Sequence, residues 1–440
     1  MSSDQDTAPP APRPGGNLLR HRDFRLLWVG ETASKVGTAI TTVALPMVAV
    51  NVLHAGTFAV AALSAAVWLP WLVLGLPAGA WVDRLPHRRL MIACDLISAA
   101  LLLSVPAAYA LDVLTIQYLL VAAMGIGAVS VFFTTACQVL LPAVVPRDDV
   151  PEGNAKLQGS ESTAQLVGPS LGGLLAQWFG AVFGLLLDGA SFLVSAVCLA
   201  RMRPTGKPGE EPAEEPGTAP APPRPRGSSL AQEIATGLRF LFTNPFLRPL
   251  TLYTAVANLA AGGFEAIIVL FLLRDVGATP GAVGIMIGVT SAGGLLGALV
   301  TTRFARRFGT ARGTLISEFV AMPFALLIPL TTHGYGLALF LVGGLVINAG
   351  TVVSSILTMG FRQTYCPPEL LGRVTSASRF LAFGTLPVGA FLAGIVASSM
   401  STRSAVWISC ITLALSGLIL LASPLRKCRD FPTETARYVA

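Results

Sequence analysis

Glu31 and Lys35 stand four residues apart in an apolar stretch, 24–50, whose only other charge is Arg25. Four residues is just over one helical turn, so the two side chains would project from one face of a helix. Asn258 and Glu265 stand seven apart in a second apolar stretch, again on one face. Ionisable groups in so apolar a setting are costly and tend to serve ion or substrate pathways. A carboxyl in a partly dry cavity can load and release a proton, and when ionised it attracts a cation. Glu31 and Glu265 are therefore candidates for coupling protons or holding a cationic group. The plainer reading of Glu31 and Lys35 is mutual neutralisation near a helix end. Glu265 has no such partner nearby in sequence. Asp95, Glu161 and Glu318 lie within a turn or two of the basic ends of their stretches, where packing or latch roles fit. Asp188 lies deeper and is a further coupling candidate.

Such side chains need apolar helices to carry them. Of 440 residues, 53% are hydrophobic and 12% charged, with mean hydropathy +0.68. Soluble chains carry roughly 25% charged residues. The apolar residues come in runs long enough to cross a bilayer, which takes ~20 residues of helix. Twelve spans emerge: 24–50, 57–80, 90–110, 114–140, 158–178, 181–201, 247–272, 281–302, 313–332, 336–359, 375–398 and 404–423. They are too long for barrel strands, and in lipid a helix satisfies its own backbone. The expectation is an all-α membrane protein of twelve transmembrane helices. With both termini inside, 27 of the 30 Lys and Arg fall in cytoplasmic segments and their flanks. Arg274 and Arg403 fall outside and Lys35 within a span, which fits the positive-inside rule.

Other classes are disfavoured. The net charge of +7 is spread between apolar runs with no nucleic-acid-binding motif, so no nucleic acid partner is expected. The six cysteines show no framework spacing and the four histidines are scattered; no metal and no cofactor are expected. No G-x-x-x-x-G-K-[ST] loop and no nucleophile–base arrangement point to an enzyme. Residues 1–17 lack an apolar core, so no cleaved signal peptide is expected.

Residues 203–228 are rich in Pro, Gly and Glu and cannot bury a core. Beyond them Leu230, Ile234, Leu238 and Leu241 fall on one helical face, as in a helix lying at the membrane surface. The chain thus divides into a disordered cytoplasmic tail (1–23), a six-helix bundle (24–202), a linker with an amphipathic helix (203–246), a second six-helix bundle (247–424) and a cytoplasmic tail (425–440). The halves also repeat. "GAWVDRLPHRR" (79–89) and "GALVTTRFARR" (297–307) match without gaps at Gly, Ala, Val and two Arg. "VPRDDVPEGNAKL" and "CPPELLGRVTSA" are similar Pro–acid turns entering helices. Parallel halves with a midplane site between them are a known transporter plan.

Gly79, Asp83, Arg84, Arg88 and Arg89 resemble the loop 2–3 signature of the major facilitator superfamily. Gly297, Arg303, Arg306 and Arg307 resemble its second copy in loop 8–9. The pattern departs at Pro86, where a second Gly is usual, and at Thr301, where an acid would stand. "VGPSLGG", with Gly168, Pro169, Gly172 and Gly173, resembles the end of the helix-5 signature of drug–proton antiporters. "LLLDGASFLVSA" (185–196) and "PPELLGRVTSASR" (367–379) resemble the macrolide-efflux-like and siderophore-exporter-like branch. The resemblance spans all twelve helices. It implies two pseudo-symmetric bundles working by alternating access, with helices 1, 4, 7 and 10 lining the cavity. Glu31, Lys35, Asn258, Glu265 and Asn348 would face it. The residues themselves point the same way: Asp83, Arg84, Arg88 and Arg89 at a helix end can latch the cytoplasmic side through charge-assisted bonds to a neighbouring helix, and the small Gly75, Gly79 and Ala80 can let a helix approach closely. Trp68 and Trp71 with Phe132, Phe133, Thr134 and Thr135 could offer a surface to a bulky ligand. The function so implied is proton-coupled export of amphipathic small molecules through the cell membrane by a monomer. Its partners would be the substrate, protons and the lipid bilayer. An importer on the same fold, or a non-transporting membrane sensor or scaffold, are the alternatives.

Overall fold

The computed structural model describes residues 18–75, 77–82, 84–146, 149–203 and 239–432. Asp83, most of the linker and residues 1–17 and 433–440 of the two terminal tails lie outside the described residues. Within them the chain forms twelve long helices. The first six are α1 (Arg22–Met47), α2 (Thr57–Leu74), α3 (His87–Ala110), α4 (Ile116–Val144), α5 (Val150–Phe179) and α6 (Ala181–Ala200). The second six are α7 (Leu247–Leu270), α8 (Pro280–Phe308), α9 (Thr310–Ala321), α10 (Leu337–Tyr365), α11 (Pro368–Ser399) and α12 (Thr402–Ser416). Ten are long and apolar enough to cross a membrane by themselves. The exceptions have visible causes. α5 begins with Glu152, Lys156 and Glu161, and α9 passes at Pro323 into a 3-10 turn, Met322–Leu327. α2 is shorter than the sequence suggests. It stops before Pro77, and a six-residue helix, Pro77–Val82, follows.

The two halves repeat in structure with a spacing of 223 residues. Thr57 and Pro280 begin α2 and α8; His87 and Thr310 begin α3 and α9. α1 and α7 both end in a π-turn, Val48–Val52 and Phe271–Asp275. The closing hydrogen bonds match as well: Leu53 N to Val48 O at 3.1 Å, and Val276 N to Phe271 O at 3.0 Å. Each turn then needs one left-handed residue, His54 (φ 47°) in the first half and Gly277 (φ 74°) in the second. Histidine tolerates that region better than most residues with a Cβ. This spacing sets Thr302 opposite Gly79 and Gly309 opposite Pro86. The ungapped match of Gly79 with Gly297 is five residues out of the structural register.

The cores show how the halves meet. Call the end bearing Arg22, Arg88 and Arg307 the basic end. At the far end one core serves both bundles. It joins Val43–Val50 of α1 and its π-turn and Val60 and Leu63 of α2 to Ala266–Leu272 of α7 and its π-turn, Val283 of α8 and Ala390 and Ala393 of α11. At the basic end the core splits. Phe24, Leu27, Met91, Leu140 and Leu199 belong to the first bundle alone. Leu247, Leu250, Tyr253, Phe361 and Tyr365 belong to the second, where Leu241, last of the surface-helix face, also packs. The bundles are therefore joined at the far end and parted at the basic end by a cleft.

Two seams close the far end, α5 on α8 and α2 on α11. Gly173 lies against Pro280 and Gly284, and Gln177 Oε1 accepts from Gly281 N at 3.0 Å. Phe58 meets Phe391 edge-on at 5.4 Å. Arg274 adds a cross-half bond to the Ala55 carbonyl at 2.9 Å.

Candidate functional site

α7 presents one face to the cleft because its own bundle covers the rest. At about 100° per residue, Gly262, Gly263 and Tyr253 point in three separated directions. Gly262 packs on Leu386 of α11, and Gly263 on Ser409 of α12. Tyr253 turns toward Glu318 of α9 and Ser354 of α10. The face left over carries Thr254, Asn258, Ala261 and Glu265. Asn258 is half-buried and Glu265 is exposed, although the next seven residues, Ala266–Leu272, are all buried in the far-end seal. Glu265 thus sits at the closed end of the cleft. Among the described residues it makes no ion pair and no hydrogen bond.

α1 faces it from the other half. Gly30 and Gly37 let α1 lie against α6, beside Ser195 and Ser191. Asp188 of α6 ties the two helices by accepting from Thr41 of α1 at 2.5 Å, and it also accepts from Ser191 of its own helix at 3.2 Å. This satisfied position makes Asp188 a structural link. Ala39 and Ile40 lie against Gly168 and Gly172 of α5. What remains open is the face of Lys35, Thr38 and Thr42, with both threonines exposed.

Lys35 does not pair with Glu31. Its ammonium lies 3.5 Å from Glu161 of α5, with the two side chains 35% and 36% exposed. Glu31 is buried, 6% exposed, and its Oε1 has no hydrogen-bond partner. Its polar neighbour is the Cys137 thiol of α4. The reason is direction: on α1 the Lys35 face borders the cleft and α5, whereas one turn earlier Glu31 is covered by α4. Asn348 of α10 is half-buried and donates to the Gly344 carbonyl of its own helix at 2.9 Å.

The motif residues take several positions. Arg88 bonds the C-terminal carbonyls of α6, Leu199 at 2.7 Å and Ala200 at 2.6 Å, within its own bundle. Arg84 and Arg89 are exposed at the basic end, and Asp83 falls outside the described residues. Gly79 is not a close-approach site: a Cβ there would meet nothing within 4 Å. Gly75 likewise meets only its own preceding turn. The close approach on α2 comes instead from Gly127 of α4 against Val67 and Pro70. Gly297 packs mid-helix on Ala349 of α10, apart from Arg303, Arg306 and Arg307, which follow toward the basic end. In the helix-5 motif, Gly168 and Gly172 serve α1, Pro169 is buried, and Gly173 serves α8 across the seam. Trp68 stacks on Phe383 of α11 at 5.9 Å, and Trp71 meets the same ring at 5.3 Å. Phe132 stacks on Trp81 near the basic end.

Three cleft-facing residues escaped the sequence reading: Thr38, Thr42 and, as the partner of Lys35, Glu161. Thr42 stands 223 residues before Glu265, so the structural repeat would have found it. The out-of-register motif match hid that spacing.

The match to known proteins extends over most of the chain. Residues 16–437 match the family model described as transmembrane secretion effector. The multidrug efflux pump Tap of Mycolicibacterium fortuitum is 29% identical over 424 residues, covering 93% of this chain and 97% of that one. The enterobactin exporter EntS of Salmonella choleraesuis (strain SC-B67) is 24% identical, covering 68% of each chain. Among solved structures, the nucleoside transporter NupG superposes with a TM-score of 0.76 at 11% identity, covering 91% of this chain and 99% of that one. A bacterial homologue of the iron transporter ferroportin in its inward-facing state gives 0.70 at 15% identity, covering 92% and 99%. The chain is a multi-pass membrane protein and belongs to the transmembrane secretion effector family of major facilitator transporters.

Proposed function

We propose that this protein exports amphipathic, cationic small molecules from the cell, driven by the proton gradient. The observation that carries the reading is Glu265: an unpartnered carboxylate at the closed end of a cleft that opens at the basic end. The Lys and Arg bias makes the basic end cytoplasmic in the cell membrane, with both termini inside. The state described is then open to the cytoplasm, the side from which an exporter loads. A cation entering the cleft meets Glu265 in a low-dielectric setting, where a charge pair is stronger than in water. Trp68, Trp71 and Phe383 border the α2–α11 seam and supply an apolar surface. Parting the α5–α8 and α2–α11 seams while the basic end closes would expose Glu265 to the outside. The loop 2–3 arginines would then exchange bonds within their own bundle for bonds across the halves. The names of the relatives, multidrug efflux pump and exporter, support outward transport.

The test is retention of lipophilic cations in a pump-deficient bacterium expressing the chain, with and without a protonophore. Expression should lower retention, and protonophore or Glu265→Gln should restore it. Unchanged retention with well-inserted protein would defeat the reading.

A further inference from the structure

We propose that proton and substrate are bound by different halves: the proton by Glu31, Asp95, Glu161 and Lys35 in the first bundle, the substrate cation by Glu265 in the second. The division rests on the export reading above. Two carboxyls, Glu161 of α5 and Glu31 of α1, border a single ammonium, and a third, Asp95 of α3, stands behind Glu31. Lys35 pairs with Glu161 at 3.5 Å. Glu31 lies one turn away on the Lys35 helix, beside Cys137 of α4. Asp95 lies behind it, wholly buried, facing Ser195 and Cys198 of α6 and next to Cys94 of its own helix. Both oxygens of Asp95 and one of Glu31 lack a hydrogen-bond partner.

One cation cannot neutralise three carboxylates, and an ionised carboxylate buried without a partner is strongly disfavoured. Glu31 and Asp95 are therefore held as neutral acids, and the cluster stores protons. Lys35 has a flexible stem and sits within a turn of Glu31 while touching Glu161. A proton arriving at the cleft-facing Glu161 releases the ammonium. It then swings to Glu31, whose proton leaves: one proton taken up, one given off.

The internal repeat supplies the comparison. Glu318 stands 223 residues after Asp95 and is as buried, 1% exposed, with both oxygens unpaired. Yet Thr254 and Asn258 occupy the places of Glu31 and Lys35, so the second bundle has the rear acid without the switch. Conversely, Thr42 stands where the second bundle has Glu265. Each half lacks what the other holds.

Two readouts test this on the full chain. In proteoliposomes with ethidium as probe, an imposed proton gradient should drive uphill accumulation by the unsubstituted protein. Glu31→Gln and Asp95→Asn should lose that accumulation and keep gradient-free counterflow of the dye. Glu265→Gln should lose both. In infrared pH-difference spectra, the carbonyl stretch of protonated carboxyls should weaken in Glu31→Gln and in Asp95→Asn. Retained uphill accumulation in both variants, or an unchanged infrared signal, overturns the proposal. So does loss of counterflow in Glu31→Gln and Asp95→Asn. If the unsubstituted protein moves no ethidium by either route, the export reading fails for this cation, while the infrared signal still decides the proton site.

Discussion

Gly173→Ala should shift the protein away from the state described here. Gly173 of α5 and Gly284 of α8 face each other across the far-end seam. A Cβ on Gly173 would lie 2.7 Å from the Gly284 Cα and 2.9 Å from its nitrogen. The reciprocal Cβ on Gly284 would meet the Gly173 Cα and nitrogen at the same 2.7 and 2.9 Å. These are backbone atoms of two helices, so no rotamer change relieves them. Non-bonded carbons settle at about 3.5–4.0 Å, so the helices must part by roughly 1 Å or leave the state. Overpacking of this kind costs roughly 1–3 kcal/mol. Set against a conformation that opens the seam, that is about a 5- to 150-fold change in population. Spin labels at Leu111 and Tyr335, exposed in the far-end turns of the two halves, would report it by pulsed distance measurement once the six native cysteines are replaced. Gly173→Ala and Gly284→Ala should each lengthen the distance. Gly159→Ala, on the same α5 with nothing within 4 Å of its Cβ, should not. An unchanged distribution in both seam variants would refute the assignment of this seam as the far-side closure.

Three further outcomes follow from the same geometry. Arg274→Ala removes the cross-half bond to the Ala55 carbonyl. It should lengthen the Leu111–Tyr335 distance less than Gly173→Ala does, and a shorter distance would count against a clamp there. Arg88→Ala removes two bonds to the end of α6. Their partial exposure holds the expected loss to about 1–2 kcal/mol, read as a lower thermal midpoint that Arg88→Lys partly restores; no change would mean the bonds contribute nothing in this state. Gly309→Ala forces a side chain onto φ 88° and against the Arg429 backbone. A cost of about 1–3 kcal/mol is expected, and a wild-type midpoint would show that the 429–431 segment is not docked as described.

The fold was legible because bilayer thickness and backbone hydrogen bonding leave few choices for long apolar runs. The breaks in α2 and α9 were less so, since prolines at 77 and 323 interrupt runs that hydropathy alone reads through. Glu265 stood out in the sequence as an isolated acid in an apolar run, and the structure places it on the α7 face that its own bundle leaves uncovered. The partner of Lys35 was not. Position i+4 says that Glu31 and Lys35 share a face. It does not say which neighbouring helix covers each, and α4 covers Glu31 while α5 brings Glu161 to Lys35. Gly79 misled for a related reason. A glycine permits close approach, but only tertiary packing decides whether a helix comes.

The repeat separates the frame from the chemistry. Positions 223 apart hold the same backbone tasks: a π-turn, a left-handed residue, a helix start. Different residues do these tasks in the two halves, as with His54 and Gly277, because the constraint falls on φ and not on the side chain. At the cleft the constraint is reversed. Backbone positions still correspond, but Glu31 meets Thr254, Lys35 meets Asn258 and Thr42 meets Glu265. Equal halves rocking about a common axis need matching frames to close alternately at either end. They need no matching charges. Two identical acidic sites would compete for one proton and one cation, and unlike sites let each binding event favour a different end. Under the proposed division of labour, Glu265 on α7 and the Lys35 cluster on α1 would be such unlike sites on a duplicated frame.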